Sequence, residues 1–224
     1  WILLDLAAPP RTPVRVLDGI YSGAARLARK SGAAIVGGDM SRGPVLEIHA
    51  FAVGQVPKGR AVLRSGARPG DVIFVTGTLG GSLKEKHLSF EPRLAEGVFL
   101  RHWATAMIDV SDGLVSDLRH LAEMSRAGAL LDASQIPVSA AAWKRKGRRP
   151  PLDHALFDGE DFELLFAVPR RRVEAFVAAW RRVFDLPCTP LGFMTSRKGL
   201  VELIDANGER TTLTRSGYQH FRSR

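Results

Sequence analysis

Acidic turns set at the ends of apolar strands are the residues of this sequence best suited to chemistry. Gly37-Gly38-Asp39 closes a short apolar run, Ala33 to Val36. Two glycines let a backbone turn sharply or approach a ligand, and a carboxylate just past a strand end can hold a hard cation. Gly and Asp are equally the commonest residues of ordinary turns. The second segment, Asp109-Val110-Ser111-Asp112-Gly113-Leu114, ends a strand in one carboxylate and opens a helix with another. Ser111 is placed as a helix N-cap, with Asp112 in the first turn, where the dipole favours it. Asp109 has no such structural role, and a carboxylate at a buried strand end beside another acid needs a countercharge. A Mg²⁺ ion, with its preference for oxygen ligands and retained phosphates or waters, would supply one. The open amides of a helix start also suit an anion.

Asp158-Gly159-Glu160-Asp161-Phe162-Glu163-Leu164 places four acids directly before an apolar run. Strand alternation sets Asp161 and Glu163 on one face and Phe162 and Leu164 on the other. Clustered carboxylates repel unless cations relieve them. A solvated acidic loop balancing nearby arginines is the structural alternative, most apt for Asp158. Val75-Thr76-Gly77-Thr78-Leu79-Gly80-Gly81-Ser82 is a strand running into a glycine-rich loop. It lacks the Gly-Lys-Ser/Thr ending of a P-loop and the glycine spacing of a dinucleotide fold. Arg64, in Leu63-Arg64-Ser65-Gly66-Ala67, suits phosphate or simply water. The six histidines show no ligand spacing and no Gly-x-Ser-x-Gly elbow occurs, so a serine hydrolase is poorly supported. Cys188 follows a proline and reads as a loop residue.

The elements needed to carry these turns are legible from periodicity. Trp1 to Leu6 is an apolar strand ended by Pro9-Pro10, and a helix spans Pro13 to Lys30, with Val14, Leu17, Ile20, Ala24, Leu27 and Ala28 on one face. Val45 to Val56 reads as a long strand. A second unit begins near Arg60, with strands at Val72 to Thr76, Ala106 to Asp109, Ala129 to Leu131 and Phe162 to Val168. Helices are expected over Glu91 to His102, Ser111 to Ser125, Ser139 to Lys146 and Arg170 to Phe184. Pro190 to Met194 and Leu200 to Ile204 read as a closing hairpin around Ser196-Arg197-Lys198-Gly199. Alternating strands and helices, some joined by tight turns, predict a mixed-sheet α/β or α+β fold.

Composition narrows the class. The chain has 224 residues, 45% apolar and 25% charged, the proportions of a globular protein. One cysteine excludes an internal disulfide and a Cys-rich zinc site, and favours a reducing, cytoplasmic setting. No apolar run approaches the ~20 residues of a membrane helix. The formal charge of +9 admits nucleic acid, an anionic membrane surface or small phosphorylated ligands. The two basic runs, Lys144-Arg145-Lys146 with Arg148-Arg149 and Arg170-Arg171-Arg172, lack the interleaved aromatics of a base-stacking surface. The first run, ending at Pro150-Pro151, reads as an exposed loop. The chain opens on Trp1 in mid-strand, as a fragment would.

Taken in order, several segments resemble the thiamine-monophosphate kinases, of the aminoimidazole ribonucleotide synthase and selenophosphate synthetase superfamily. They are Val36-Gly37-Gly38-Asp39, Arg64-Ser65-Gly66-Ala67 with Pro69-Gly70-Asp71, Thr76-Gly77-Thr78-Leu79-Gly80, Met107 to Leu114, Gly159 to Phe166, and Gly217-Tyr218-Gln219-His220-Phe221. The resemblance covers essentially the whole chain. It implies that superfamily's two-domain α+β fold, with residues 1–59 the remainder of an incomplete amino-terminal ATP-binding and dimerisation domain and 60–224 the carboxyl-terminal domain. It implies transfer of the γ-phosphoryl of ATP to thiamine monophosphate, assisted by Mg²⁺, in a homodimer when the chain is full length, with no nucleic acid and no membrane involved. By motif position, Asp39, Asp109 and Asp112 resemble metal ligands. Gly38, Asp39, Arg64 and Ser111 resemble nucleotide contacts, and Glu160 and Tyr218 contacts to thiamine phosphate.

Three departures stand out. The family's earlier metal-binding aspartates have no counterpart in the sequence, so the chain by itself is expected to be inactive. Asp158 stands where the family has glycine, and Lys84 to Pro92 is shorter than in many members. Another ATP-dependent enzyme of the superfamily, using the same metal and nucleotide half, is one alternative. A truncated module that binds nucleotide without catalysis is a second, and a nucleic-acid binder a third.

Overall fold

The computed structural model describes residues 1–84, 86–215 and 217. The chain divides into two compact units, Trp1–Arg60 and Ala61–Arg224.

In the first unit, β1 (Ile2–Ala8) leads to α1 (Val14–Lys30), β2 (Ile35–Gly37), β3 (Met40–Arg42) and β4 (Glu47–Ala52). β1 is the centre of a four-stranded sheet. It pairs in parallel with β2 through its first residues and with β3 through its last, and antiparallel with β4 along its length. Its alternation buries Leu4, Leu6 and Ala8, as a strand with one covered face requires. α1 starts after Pro13, whose fixed φ suits a helix entrance. It ends at Ser31, with Gly32 left-handed at φ 67°. β4 is shorter than the Val45 to Val56 run predicts and is exposed along its whole length.

The second unit is built on a seven-stranded sheet. Its elements are β5 (Val72–Thr76), α2 (Lys86–Ser89), α3 (Leu94–Leu100), β6 (Ala106–Asp109), α4 (Leu114–Met124), β7 (Gly128–Asp132), α5 (Ala140–Trp143), α6 (Pro151–Phe157), β8 (Leu164–Val168), α7 (Val173–Val183), β9 (Cys188–Thr195), β10 (Val201–Ile204) and β11 (Arg210–Thr212). The strand order is β11-β10-β7-β9-β5-β8-β6. Each central strand sorts its side chains between two cores. Ile73, Val75, Leu165 and Ala167 join Leu114, Leu118 and Leu121 of α4 and Leu156 of α6 in one. Phe74, Phe166 and Val168 join Phe176 and Trp180 of α7 and Leu100 of α3 in the other, which is largely aromatic. Fully burying a leucine or phenylalanine stabilises by about 1.5–3 kcal/mol, so these two layers hold the sheet.

The closing hairpin predicted from Pro190 to Ile204 does not form. β7 lies between β9 and β10, antiparallel to the first and parallel to the second, and β10 makes its hairpin with β11. The connection arches over the start of β7, where Ala129 N–H donates to Leu200 O at 2.8 Å and Gly199 N–H to Ala127 O at 3.0 Å. A Cβ on Gly128 would lie 2.1 Å from Arg197 O, so only glycine lets the arch pass. Cys188 opens β9 rather than lying in a loop. Helix bounds also move. The helix expected over Glu91 to His102 is Leu94–Leu100, and that over Ser139 to Lys146 is Ala140–Trp143. Pro150-Pro151 opens α6 rather than an exposed loop.

Candidate functional site

In the first unit the Gly38-Asp39 turn is folded tightly onto β1. Gly38 has φ 155°, and a Cβ there would sit 2.0 Å from Leu4 O. Asp39 N–H donates to Asp5 Oδ1 at 2.7 Å, and Leu6 N–H to Asp39 O at 2.9 Å. The anchor Asp5 carries no sequence signal beyond interrupting an apolar run. Asp39 itself is exposed.

In the second unit, β6 carries Asp109 at its end, where it pairs with Leu164 of β8. The chain then turns through Ser111 and Asp112 to Gly113, whose φ is 108° and whose missing Cβ would stand 3.0 Å from Asp158 O. Here the predicted cap is corrected. Ser111 does not cap α4, which starts at Leu114 behind Gly113, and no side chain bonds its N-cap position. The first-turn acid is Asp117, not Asp112. Its buried carboxylate reaches back, and Oδ2 accepts the N–H groups of Ser111 and Asp112, each at 3.0 Å. Those two amides are therefore taken by the protein rather than open to an anion.

The acidic segment is zipped onto this turn by backbone. Glu160 N–H donates to Ser111 O (2.7 Å), Phe162 N–H to Val110 O (2.8 Å) and Val110 N–H to Glu163 O (2.8 Å). A Cβ on Gly159 would meet Ser111 O at 2.4 Å, and one on Gly217 would meet Asp112 O at 1.8 Å. Glu160 and Phe162 are left-handed, at φ 66° and 50°. Such backbone costs of order 1–3 kcal/mol per residue and persists only where surrounding contacts over-determine it. Phe162 is held further by its stack on Phe90, with ring centroids 4.3 Å apart.

Of the four acids, three are buried and partnered within the protein. Asp161 to Glu163 precede β8 rather than forming its first residues. Asp158 is not solvated: it accepts from Arg145 Nη1 (3.0 Å) and Arg149 Nη1 (2.9 Å), with His154 Nδ1 at 2.7 Å. Part of the first basic run is thereby turned inward. Glu163 receives both Arg93 Nε and Nη2 at 2.8 Å, Lys86 Nζ at 3.0 Å and Thr76 Oγ1 at 2.8 Å. Burial alone would raise Glu163, but Arg93, Lys86 and Thr76 together hold it below its ordinary value. Gly77 permits this approach, because a Cβ there would lie 2.2 Å from Glu163 Oε1. Asp161 accepts from Gly80 N–H at 2.8 Å and from the Ser82 hydroxyl. Only Glu160 is exposed. The glycine-rich loop after β5 is therefore a bracket for the acidic loop.

Burial pushes Asp161 up from 3.8 to about 6, against the lowering effect of Ser82, Gly80 and Lys86. The folded state then holds a proton that the unfolded state has lost between those values, so this group makes stability fall as pH rises through that window. Asp161→Asn can keep both hydrogen bonds, and is expected to remove this component when chemical denaturation is measured between pH 4 and pH 6.

Arg64 is exposed, on a segment fastened to the edge of β6. Met107 N–H donates to Leu63 O at 2.9 Å, and the Ser125 hydroxyl to Arg64 O at 3.3 Å. Among the described residues nothing pairs with its guanidinium. Tyr218 lies outside the described residues.

The chemistry of the donor set fits Mg²⁺. Neither Asp109 nor Asp112 is engaged through its carboxylate by a hydrogen bond or ion pair among the described residues. Behind them Asp117 is pushed up from 3.8 to about 7, first by burial and then, against its two backbone bonds, by the charges of Asp112 and Asp109. Among the described residues none of these three acids meets a cation, whereas buried Asp158, Glu163 and Glu202 of the same unit each do. Among the described residues no three His, Cys, Asp or Glu side chains gather closely enough to hold an ion alone. Mg²⁺ ordinarily completes its shell with phosphates and waters.

Comparison with known proteins adds the family. No protein-family model matches the chain. The thiamine-monophosphate kinase of Escherichia coli K12 is 40% identical over 212 aligned positions, covering 84% of this chain and 63% of that protein. That of Buchnera aphidicola from Schizaphis graminum is 32% identical over 242 positions, covering 99% of this chain and 74% of that protein. The chain belongs to the thiamine-monophosphate kinase family. A solved structure of AaThiL complexed with AMPPCP and TMP is 30% identical, with a TM-score of 0.84, over 99% of this chain and 73% of that one. The likeness extends to the mixed α+β architecture expected of the superfamily. This chain spans 63% of the length of the Escherichia coli relative. No helix among the described residues is long and apolar enough to cross a membrane.

Proposed function

We propose that this chain is the nucleotide- and substrate-handling part of an enzyme that transfers the γ-phosphoryl of ATP to thiamine monophosphate, making thiamine diphosphate. The observation that carries the reading is the acid turn Asp109 to Asp112, whose carboxylates meet no cation among the described residues, in a chain similar to AaThiL, which was captured with AMPPCP and TMP. The attacking group is already a phosphate oxygen, so no strong base is needed. The obstacle is the mutual repulsion of two polyanions. Catalysis of such a transfer is mostly positioning and charge neutralisation.

Asp109 and Asp112 in the second unit are the residues we assign to Mg²⁺; Asp39, in the first, carries a separate assignment to metal on the resemblance alone. The ion, when bound, supplies positive charge to the phosphates. Arg64, with no acid partner among the described residues, is assigned to the nucleotide together with the hydroxyl of Ser111; Gly38 and Asp39 in the first unit carry the same assignment separately, on the resemblance alone. Glu160 is exposed on a backbone fixed by the bracket beneath it, and we assign it with Tyr218 to thiamine phosphate. Two copies of the full-length protein are expected to pair through the first unit, whose β4 leaves Ile48 and Phe51 exposed. A cytoplasmic location accords with the chemistry and the single cysteine.

The test is direct. The full-length protein, given ATP, Mg²⁺ and thiamine monophosphate, is expected to yield thiamine diphosphate, resolved by chromatography. ATP consumed only with some other acceptor, or no turnover with any acceptor, would overturn the reading.

A further inference from the structure

Resting on that reading of Asp109 and Asp112, we propose that Asp117 is the positioning residue of the metal turn. It sets Asp112 relative to Asp109 by drawing the Ser111 and Asp112 amides inward. Oδ2 of Asp117 accepts from both Ser111 N–H and Asp112 N–H at 3.0 Å. Two successive amides bound to one buried oxygen settle the orientation of both peptide planes. Asp117 is itself held, since its own N–H donates to Gly113 O at 3.0 Å within the first turn of α4, and α4 is anchored by Leu114, Val115 and Leu118, all fully buried. The core therefore reaches the turn through this carboxylate as well as through the backbone bonds of the acidic loop. No cation among the described residues pairs with it, unlike Asp158 and Glu163 in the same unit. Its charge is set behind the two acids assigned to the ion, where groups that orient ligands commonly act.

Removing the carboxylate frees both amides and leaves Asp112, which unlike Asp109 is outside the β6 ladder, less firmly placed beside Asp109. Losses of 10- to 100-fold in metal affinity are typical when such supporting groups are removed. The experiment uses the full-length protein and Mn²⁺ as a spectroscopic probe of the Mg²⁺ position, alongside hydrogen exchange at the Ser111 and Asp112 amides without metal. Asp117→Ala is expected to weaken Mn²⁺ binding by about tenfold or more and to accelerate exchange at those amides. Asp117→Asn offers an oxygen of the same shape, and is expected to restore amide protection and recover part of the affinity. That rescue separates positioning from loss of fold. Asp109→Asn serves as the control on the underlying reading. If it weakens Mn²⁺ binding while Asp117→Ala leaves both binding and exchange unchanged, the positioning role is overturned. If Asp109→Asn leaves Mn²⁺ binding intact, the metal reading fails and this inference falls with it.

Discussion

Asp109→Asn is expected to lower turnover of the full-length protein by about a hundredfold or more, with folding stability unchanged or slightly raised. Asp109 is exposed at the end of β6, and its carboxylate makes no hydrogen bond or ion pair among the described residues. Removing the charge therefore breaks nothing that holds the fold. It also relieves the repulsion that Asp109 exerts on buried Asp117. The cost falls on the reaction, where removal of a single group that stabilises developing charge is worth roughly 10²–10³ in rate. Steady-state kinetics at saturating Mg²⁺, beside a thermal melt, would separate the two effects. A variant with wild-type turnover would remove Asp109 from the ligand set. One that is inactive because it has unfolded would show that the residue is structural after all.

Glu163→Ala is expected to be the most damaging change to stability among the site residues. Glu163 ties together the end of β5, α2, the residue preceding α3 and the acidic loop, through Thr76, Lys86 and Arg93. Breaking a buried pair by removing one partner costs about 3–5 kcal/mol, because the other charge is left uncompensated. Arg93, whose guanidinium is raised further by its bonds to Glu163, is that stranded charge. For a chain of this size the loss corresponds to a fall in Tm on the order of 10 °C. Glu163→Gln retains an acceptor for Thr76 and should lose less. The pH dependence runs opposite to that of Asp161. Glu163 sits below its ordinary value of 4.5, so its contribution is present above that pH and lost as pH falls through its folded value. A change below about 1 kcal/mol in Glu163→Ala would mean that desolvation cancels the attraction.

Elements with strong internal patterns were readable from the residues alone. Val72 to Thr76 is β5 as expected, because a β-branched run between turn residues has few other stable forms. The face Leu114, Leu118 and Leu121 did place α4 against the core. The hairpin expectation failed because two strands joined by a tight turn need not be neighbours: Gly128 lets the connection cross β7, and nothing in Ser196 to Gly199 signals that. α6 was missed because it is seven residues long and begins with prolines that also mark loops. In the acid loop, four carboxylates without visible countercharge suggested bound cations. The structure supplies Arg93 to Glu163 from 70 positions away and Lys86 from 77. Such partners have no local signature. Asp117 escaped notice for the related reason that Ser111 and Asp112 offered a complete capping explanation of the same turn.

The strand order has a consequence for the chain as it leaves the ribosome. β5, β6 and β7 are synthesised first in their unit, yet none pairs with another. Their ladders are all made with β8, β9 and β10, which begin at Leu164, Cys188 and Val201. Until that stretch emerges, three strands wait without the neighbours that complete their ladders, the condition in which nascent chains aggregate or engage chaperones. Translational pauses before Leu164 would lengthen that exposure, whereas pauses after β10 would find the sheet already able to close.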